Sequence, residues 1–168
     1  LLNEFFALLT EITFRYDGTV FSMAGDSLMV GFGVPVEQQD GALRAIRAAR
    51  DMLDEFAVLA DRWKVRYGVR TGLGIGINVG EVIAGNVGSA TYMNYTIIGD
   101  AVNVASRLGQ RARAGEMLFS DAVKASLDEQ GFDVEALPLP SLVLRGRTNP
   151  IDIFCVPSAV RVDFRVAY

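Results

Sequence analysis

Apolar residues recur at three- and four-residue steps through Leu2, Phe5, Phe6, Leu9 and Ile12, which is one face of an amphipathic helix. Asp17-Gly18 marks its stop, glycine supplying the left-handed geometry that helix ends favour. The period then drops to two. Residues 19–23 and 27–32 read as short strands, with Gly25-Asp26 between them as a tight hairpin turn. Pro35 interrupts the pattern, and a long helix begins near Asp40, a good N-cap residue. That helix turns Leu43, Ile46, Leu53, Phe56 and Trp63 inward.

Residues 71–88 are rich in glycine, yet they match neither a Walker A loop nor a G-x-G-x-x-G turn. Gly72, Gly74 and Gly76 alternate with Leu73, Ile75 and Ile77, the period of a strand with one bare face. Something must pack close against that backbone, so the glycines read as packing devices. Gly80-Glu81 leads into a strand over 82–87, and a further strand over 93–98 runs into Gly99-Asp100. A helix follows to about Ala112, burying Val102, Ala105 and Leu108 with Ala101 and Val104 beside them. The remainder predicts a strand over 116–120, a helix over 121–129, and strands around 142–145 and 151–156. Residues 158–168 read as a tail.

Composition narrows the chemistry. The chain has 168 residues, no histidine and one cysteine, so Ser-His-Asp and Cys-His nucleophiles are excluded. At 51% apolar it has the means to build a core, and it is not a disordered chain. A net charge of −4 gives no footprint for a nucleic acid backbone, so no nucleic acid partner is expected. No apolar run approaches the ~20 residues of a membrane span. Of 16 basic residues only Lys64 and Lys124 are lysine, so anion binding falls to arginine, backbone amides or a metal ion.

Three places carry candidate chemistry. Asp26 sits at a hairpin tip within reach of a divalent cation, although a turn aspartate ordinarily serves its own backbone. Asn103 and Arg107 lie at i and i+4 on one helix face, an amide and a guanidinium able to grip a sugar oxygen and a phosphate. By spacing alone they equally describe a solvated face. Arg145 and Arg147 bracket Gly146 in a compact basic turn suited to a polyphosphate, or to an ordinary surface loop.

Taken together, these segments are more specific. The run from Gly25 to Pro35, GDSLMVGFGVP, resembles the metal-site hairpin of class III nucleotidyl cyclases. So do GIGINVGEVIAGNVG from Gly74 and, most specifically, YTIIGDAVNVASRL from Tyr95. Leu144-Arg145-Gly146-Arg147 falls where that family has a Lys-Gly-Lys or Lys-Gly-Arg turn. The resemblance spans roughly residues 1–157. It implies an α+β, ferredoxin-like cyclase core: a central, mainly antiparallel sheet with helices packed on it.

It also implies a reaction: ATP, in preference to GTP, converted to the 3′,5′-cyclic nucleotide and pyrophosphate in a signalling protein of the cytoplasm. Two Mg²⁺ or Mn²⁺ ions, about 3.5–4 Å apart in such sites, would be held by Asp26 and a second aspartate. Asn103 would position the ribose and Arg107 would stabilise charge on the α-phosphate, both reaching across a homodimer with shared sites. Arg145 would hold the outer phosphates. Ser22 and Thr96 take the two positions that read the purine. Ser22 stands where adenylyl cyclases typically carry lysine, and Arg145 also replaces a lysine. The second metal aspartate belongs on a strand ahead of the first helix, and the chain begins within that helix. It is therefore expected to be a piece of a longer protein, with a sensor or regulatory domain upstream and the N-terminal strand missing. The competing expectations are a catalytically weak regulatory nucleotide-binding domain and, further off, a ferredoxin-like module binding RNA or protein.

Overall fold

The computed structural model describes residues 1–157, so the tail expected at 158–168 lies outside the described residues. The elements in chain order are α1 (Leu2–Arg15), β1 (Thr19–Ala24), β2 (Ser27–Gly31) and α2 (Gly41–Tyr67). Next come β3 (Ile75–Ile77), β4 (Ile83–Ser89), β5 (Tyr92–Ile98) and α3 (Asp100–Arg111). The chain closes with β6 (Met117–Ser120), α4 (Asp121–Glu129), β7 (Leu137–Leu142) and β8 (Ile151–Val156).

The architecture is α+β and mainly antiparallel with helices packed on it, as expected, and the described strands are divided among three sheets. β1 and β2 make an antiparallel hairpin, β4 and β5 make another, and β3-β6-β8-β7 form a four-stranded sheet. Among the described strands only β3 and β6 run parallel. β6 is buried at all four positions, because helices cover both faces of that sheet. Met117 and Phe119 face α2 and α4, packing with Ile46, Val123 and Leu127. Leu118 faces α3, packing with Val104, Leu108 and Ile153. A third cluster joins α1 to α2 through Phe5, Leu9, Ile12, Phe56 and Trp63. Each such side chain, fully buried, contributes about 1.5–3 kcal/mol of transfer free energy.

The alternating glycines of 72–76 do admit a close neighbour. A Cβ on Gly76 would lie 2.1 Å from the Gly109 amide nitrogen, and one on Gly74 would lie 2.8 Å from the Ala112 carbonyl. α3 therefore lies directly on the β3 backbone. The expected strand over 72–77 shortens to Ile75–Ile77, its first residues being spent on this contact with the end of α3.

Other boundaries shift for local reasons. Asp17, not Gly18, takes the left-handed conformation after α1 (φ 57°). Gly18 is small for a different reason, since a Cβ there would meet the Phe32 ring at 2.6 Å. Asp40 stands at the N-cap of α2 without capping it, its Oδ1 accepting instead from Arg44 Nε at 2.8 Å. The strand expected at 142–145 lies earlier, as β7, and contains Pro138 and Pro140. It pairs only with β8, and an edge strand tolerates proline where a central one does not. Helix 121–129 and strand 151–156 match their expectations. Among the described residues no helix is long and apolar enough to cross a membrane.

Candidate active site

Asp26 occupies the tip of the β1–β2 hairpin. Gly25 supplies the positive φ (58°) that the first central position of a tight hairpin turn requires, and Ser27 Oγ closes the turn on the Ala24 carbonyl at 2.8 Å. The Asp26 side chain is exposed and makes no hydrogen bond or ion pair among the described residues. It is not consumed by its own turn, contrary to the ordinary role of a turn aspartate. One carboxylate alone is not a metal site. Among the described residues no group of three or more ligating side chains assembles, so they do not by themselves fit a metal pair.

Ser22 lies beside a β-bulge. Val20 pairs with Val30 and Ser22 with Met29, leaving Phe21 as the extra residue. Bulges re-aim the side chains around them. Phe21 stacks on Tyr95 with ring centroids 6.3 Å apart, which brings β1 against β5. Ser22 and Thr96, each following one ring of that stack, thus sit half-buried on adjoining strands.

The N-cap of α3 is Gly99, whose φ of 150° and 3.1 Å Cβ approach to the Glu81 carbonyl suit only glycine. Val104 and Leu108 bury one side of this helix, leaving Asn103 and Arg107 exposed on the other. Arg107 donates to Gln110 Oε1 at 3.1 Å, which steers the guanidinium along the helix.

The 144–147 turn closes by a hydrogen bond from the Arg147 amide to the Leu144 carbonyl, with Gly146 at φ 88°. Arg147 Nη2 pairs with Asp100 Oδ2 at 2.9 Å, docking this turn on the first residue of α3. Arg145 is exposed and forms no ion pair among the described residues. One chain therefore carries Asn103 and Arg107 on α3 and anchors the turn that holds Arg145 to the first residue of that helix. No hydrogen bond or ion pair among the described residues joins Asp26 to that group. Two open grooves of about 540 and 470 Å³ run along α1 and α2, and neither is lined by any candidate residue.

A family model described as the adenylate and guanylate cyclase catalytic domain matches residues 1–156. The chain belongs to that family. It is 32% identical over 171 residues to adenylate cyclase 1 of Rhizobium meliloti, covering 96% of this chain and 24% of that protein. The adenylyl cyclase CyaB from P. aeruginosa superposes with a TM-score of 0.85 at 30% identity, over 98% of this chain and 83% of that one. The guanylyl cyclase Cya2 gives 0.82 at 28% identity, over 96% of this chain and 80% of that one. The chain spans about a quarter of the length of the curated relatives it matches first.

Sequence reasoning did not find two features of this cyclase domain. One is the Arg147–Asp100 pair, which distinguishes Arg147 from the exposed Arg145 of the same turn. The other is Asn78, whose amide contacts the first turn of α3. Its signal was a lone polar residue directly after the apolar strand Ile75–Ile77.

Proposed function

We propose that this domain converts a purine nucleoside triphosphate, ATP in preference to GTP, to the 3′,5′-cyclic nucleotide and pyrophosphate between two copies of the chain. The observation that carries this is the shared face of α3 and its docked turn. Asn103, Arg107 and Arg145 stand exposed there, with no ion pair to Asp26 within one chain. A second copy supplies the missing proximity. Exposed Ile83, Tyr92 and Met93 on the β4–β5 hairpin, at 71%, 72% and 58% exposure, provide an apolar surface for such a copy.

In this reading Asn103 holds the ribose. Arg107 neutralises charge that builds on the α-phosphate, and Arg145 binds the outer phosphates. Ser22 and Thr96 meet the base edge with hydroxyls that donate or accept, which leaves discrimination between purines modest. Asp26 would be one ligand to Mg²⁺ or Mn²⁺, and an aspartate that the resemblance places on a strand ahead of α1 would be needed to complete the site. Regulatory input comes from sequence outside this domain, and the domain works in the cytoplasm.

The test is to incubate the full-length protein with ATP or GTP and Mn²⁺ and to measure cyclic product. Product from ATP exceeding that from GTP supports the reading, and no product from either nucleotide in a dimeric preparation rejects it. The alternative, a regulatory domain that binds nucleotide without turnover, rests on Ser22 standing where adenylyl cyclases typically carry lysine. Saturable nucleotide binding with no product would favour it.

A further inference from the structure

Asn78 follows β3 directly and lies beside Ser120, the last residue of β6, where the parallel ladder pairs Ile77 with Phe119. The Ser120 hydroxyl donates to Asn78 Oδ1 at 2.6 Å, and Asn78 Nδ2 donates to the Ala101 carbonyl at 3.0 Å. The amide orientation is fixed chemically. A carbonyl only accepts, so nitrogen must face Ala101 and oxygen is left to accept from Ser120. One side chain thus joins the ends of two adjacent strands to the first turn of α3.

This arrangement has a cost elsewhere. Ser120 stands at the N-cap of α4 with extended backbone (φ −79°, ψ 165°), the geometry in which serine caps a helix. A serine cap is worth about 1 kcal/mol. Yet Ser120 makes no side-chain cap bond, and its buried hydroxyl goes to Asn78 instead.

The surrounding packing explains what the bond adds. Gly76 and Gly80 let α3 press on the strand, a Cβ at Gly80 coming 2.7 Å from the Ala101 Cβ. Bare backbone limits how near a helix comes but offers few knobs to stop it sliding along its axis. A directional hydrogen bond supplies that stop. Ala101 is two residues before Asn103 and six before Arg107, so an axial shift of the first turn passes straight to both.

We infer that Asn78, held by Ser120, is a positioning residue that sets the axial place of α3 and therefore of Asn103 and Arg107. Its catalytic consequence rests on the roles proposed above for those two residues. A misplacement of about 1 Å at reacting groups costs about 100-fold in rate. Asn78→Ala is therefore expected to lower kcat about 10- to 100-fold, with KM changed less than about threefold. Asn78→Asp keeps the acceptor for Ser120 but loses the donor to Ala101, so it falls with alanine. Ser120→Ala gives a smaller loss, Ser120→Thr restores the hydroxyl and the rate, and the double alanine variant is no worse than Asn78→Ala.

The deciding experiment measures amide hydrogen exchange along α3 beside kcat and KM for ATP, in the full-length protein. Exchange at Val104 and Ala105 that rises in Asn78→Ala, with the four-stranded sheet still protected, is the expected result. Unchanged exchange there, an equal rise throughout the fold, or an unaltered kcat in the folded variant overturns the inference. If the unmodified protein makes no cyclic product, the proposed function fails. The exchange pattern then still decides whether Asn78 places the helix. Should Asn78→Ala not fold, the Ser120→Ala and Ser120→Thr pair carries the same comparison.

Discussion

Arg147 reaches Asp100 across 2.9 Å, so the basic turn and the first residue of α3 are held as one unit. Two arginines flank Gly146, but only Arg147 is engaged in this way. Arg145→Ala is expected to raise the KM for nucleotide about tenfold, the loss of one charge-assisted hydrogen bond. Arg147→Ala should raise it less than about fivefold, since an exposed ion pair is worth about 0.2–1 kcal/mol. Michaelis curves for the two variants check this, and the opposite order would reassign the phosphate contact.

Arg107→Ala should lower kcat about 100- to 1,000-fold with little change in nucleotide affinity, because its contact strengthens as charge develops. Equilibrium binding of a non-cyclisable nucleotide, set beside kcat, separates the two. Equal losses in both would contradict the role.

Asp26→Ala and Arg107→Ala should each retain at most about 1% of turnover alone and regain it when mixed. In a mixed dimer one of the two shared sites keeps both residues. Activity of the mixture, with heterodimers verified by tagged pull-down, measures this, and no recovery would sink the shared site.

Gly76 and Gly109 face each other across the α3–β3 contact but are not equivalent. A Cβ on Gly76 meets backbone at 2.1 Å, whereas one on Gly109 finds its nearest neighbour at 3.7 Å. Gly76→Ala is expected to destabilise by about 3 kcal/mol. Gly109→Ala should be neutral or stabilising by up to about 1 kcal/mol, since alanine favours a helix interior. Urea midpoints of the two variants test the asymmetry.

The Tyr16 hydroxyl donates to Asp51 Oδ2 at 2.6 Å, and this hydrogen bond, with burial behind it, raises the phenol pKa above its usual value of 10.0. A raised pKa means the contribution is complete below pH 10.0 and is lost as pH climbs through the folded-state value. Tyr16→Phe should therefore lower the melting midpoint at neutral pH, and the gap should close in strong alkali. A gap that persists there would mean packing, not the hydroxyl, is responsible.

Much of this fold was legible because local and tertiary preferences agree. The helix over 121–129 and the hairpin at Gly25-Asp26 follow from period and turn chemistry that packing has no reason to override. The alternating glycines announced a close neighbour, though not which helix it would be. β7 escaped detection because Pro138 and Pro140 argue against a strand unless it lies at an edge, and edge position is a tertiary fact. The same limit applied to the site. Motif residues could be named singly, but Arg147 and Asp100 are 47 positions apart, and nothing in either segment declares the pairing. Asn78 stayed hidden because a polar residue after a strand ordinarily needs only water.

The prolines of β7 also bear on how copies of this domain avoid the wrong company. In a ladder that bonds to one neighbour, proline is accommodated where its missing N–H would have pointed outward. On this edge strand Pro138, opposite Phe154, and Pro140, within the irregularity between Leu139 and Leu142, both lack an N–H donor. That rim offers an approaching chain little to bond with, so the sheet resists growth into filaments from this side. Any association of copies through this edge therefore has to rest on side chains rather than on backbone pairing.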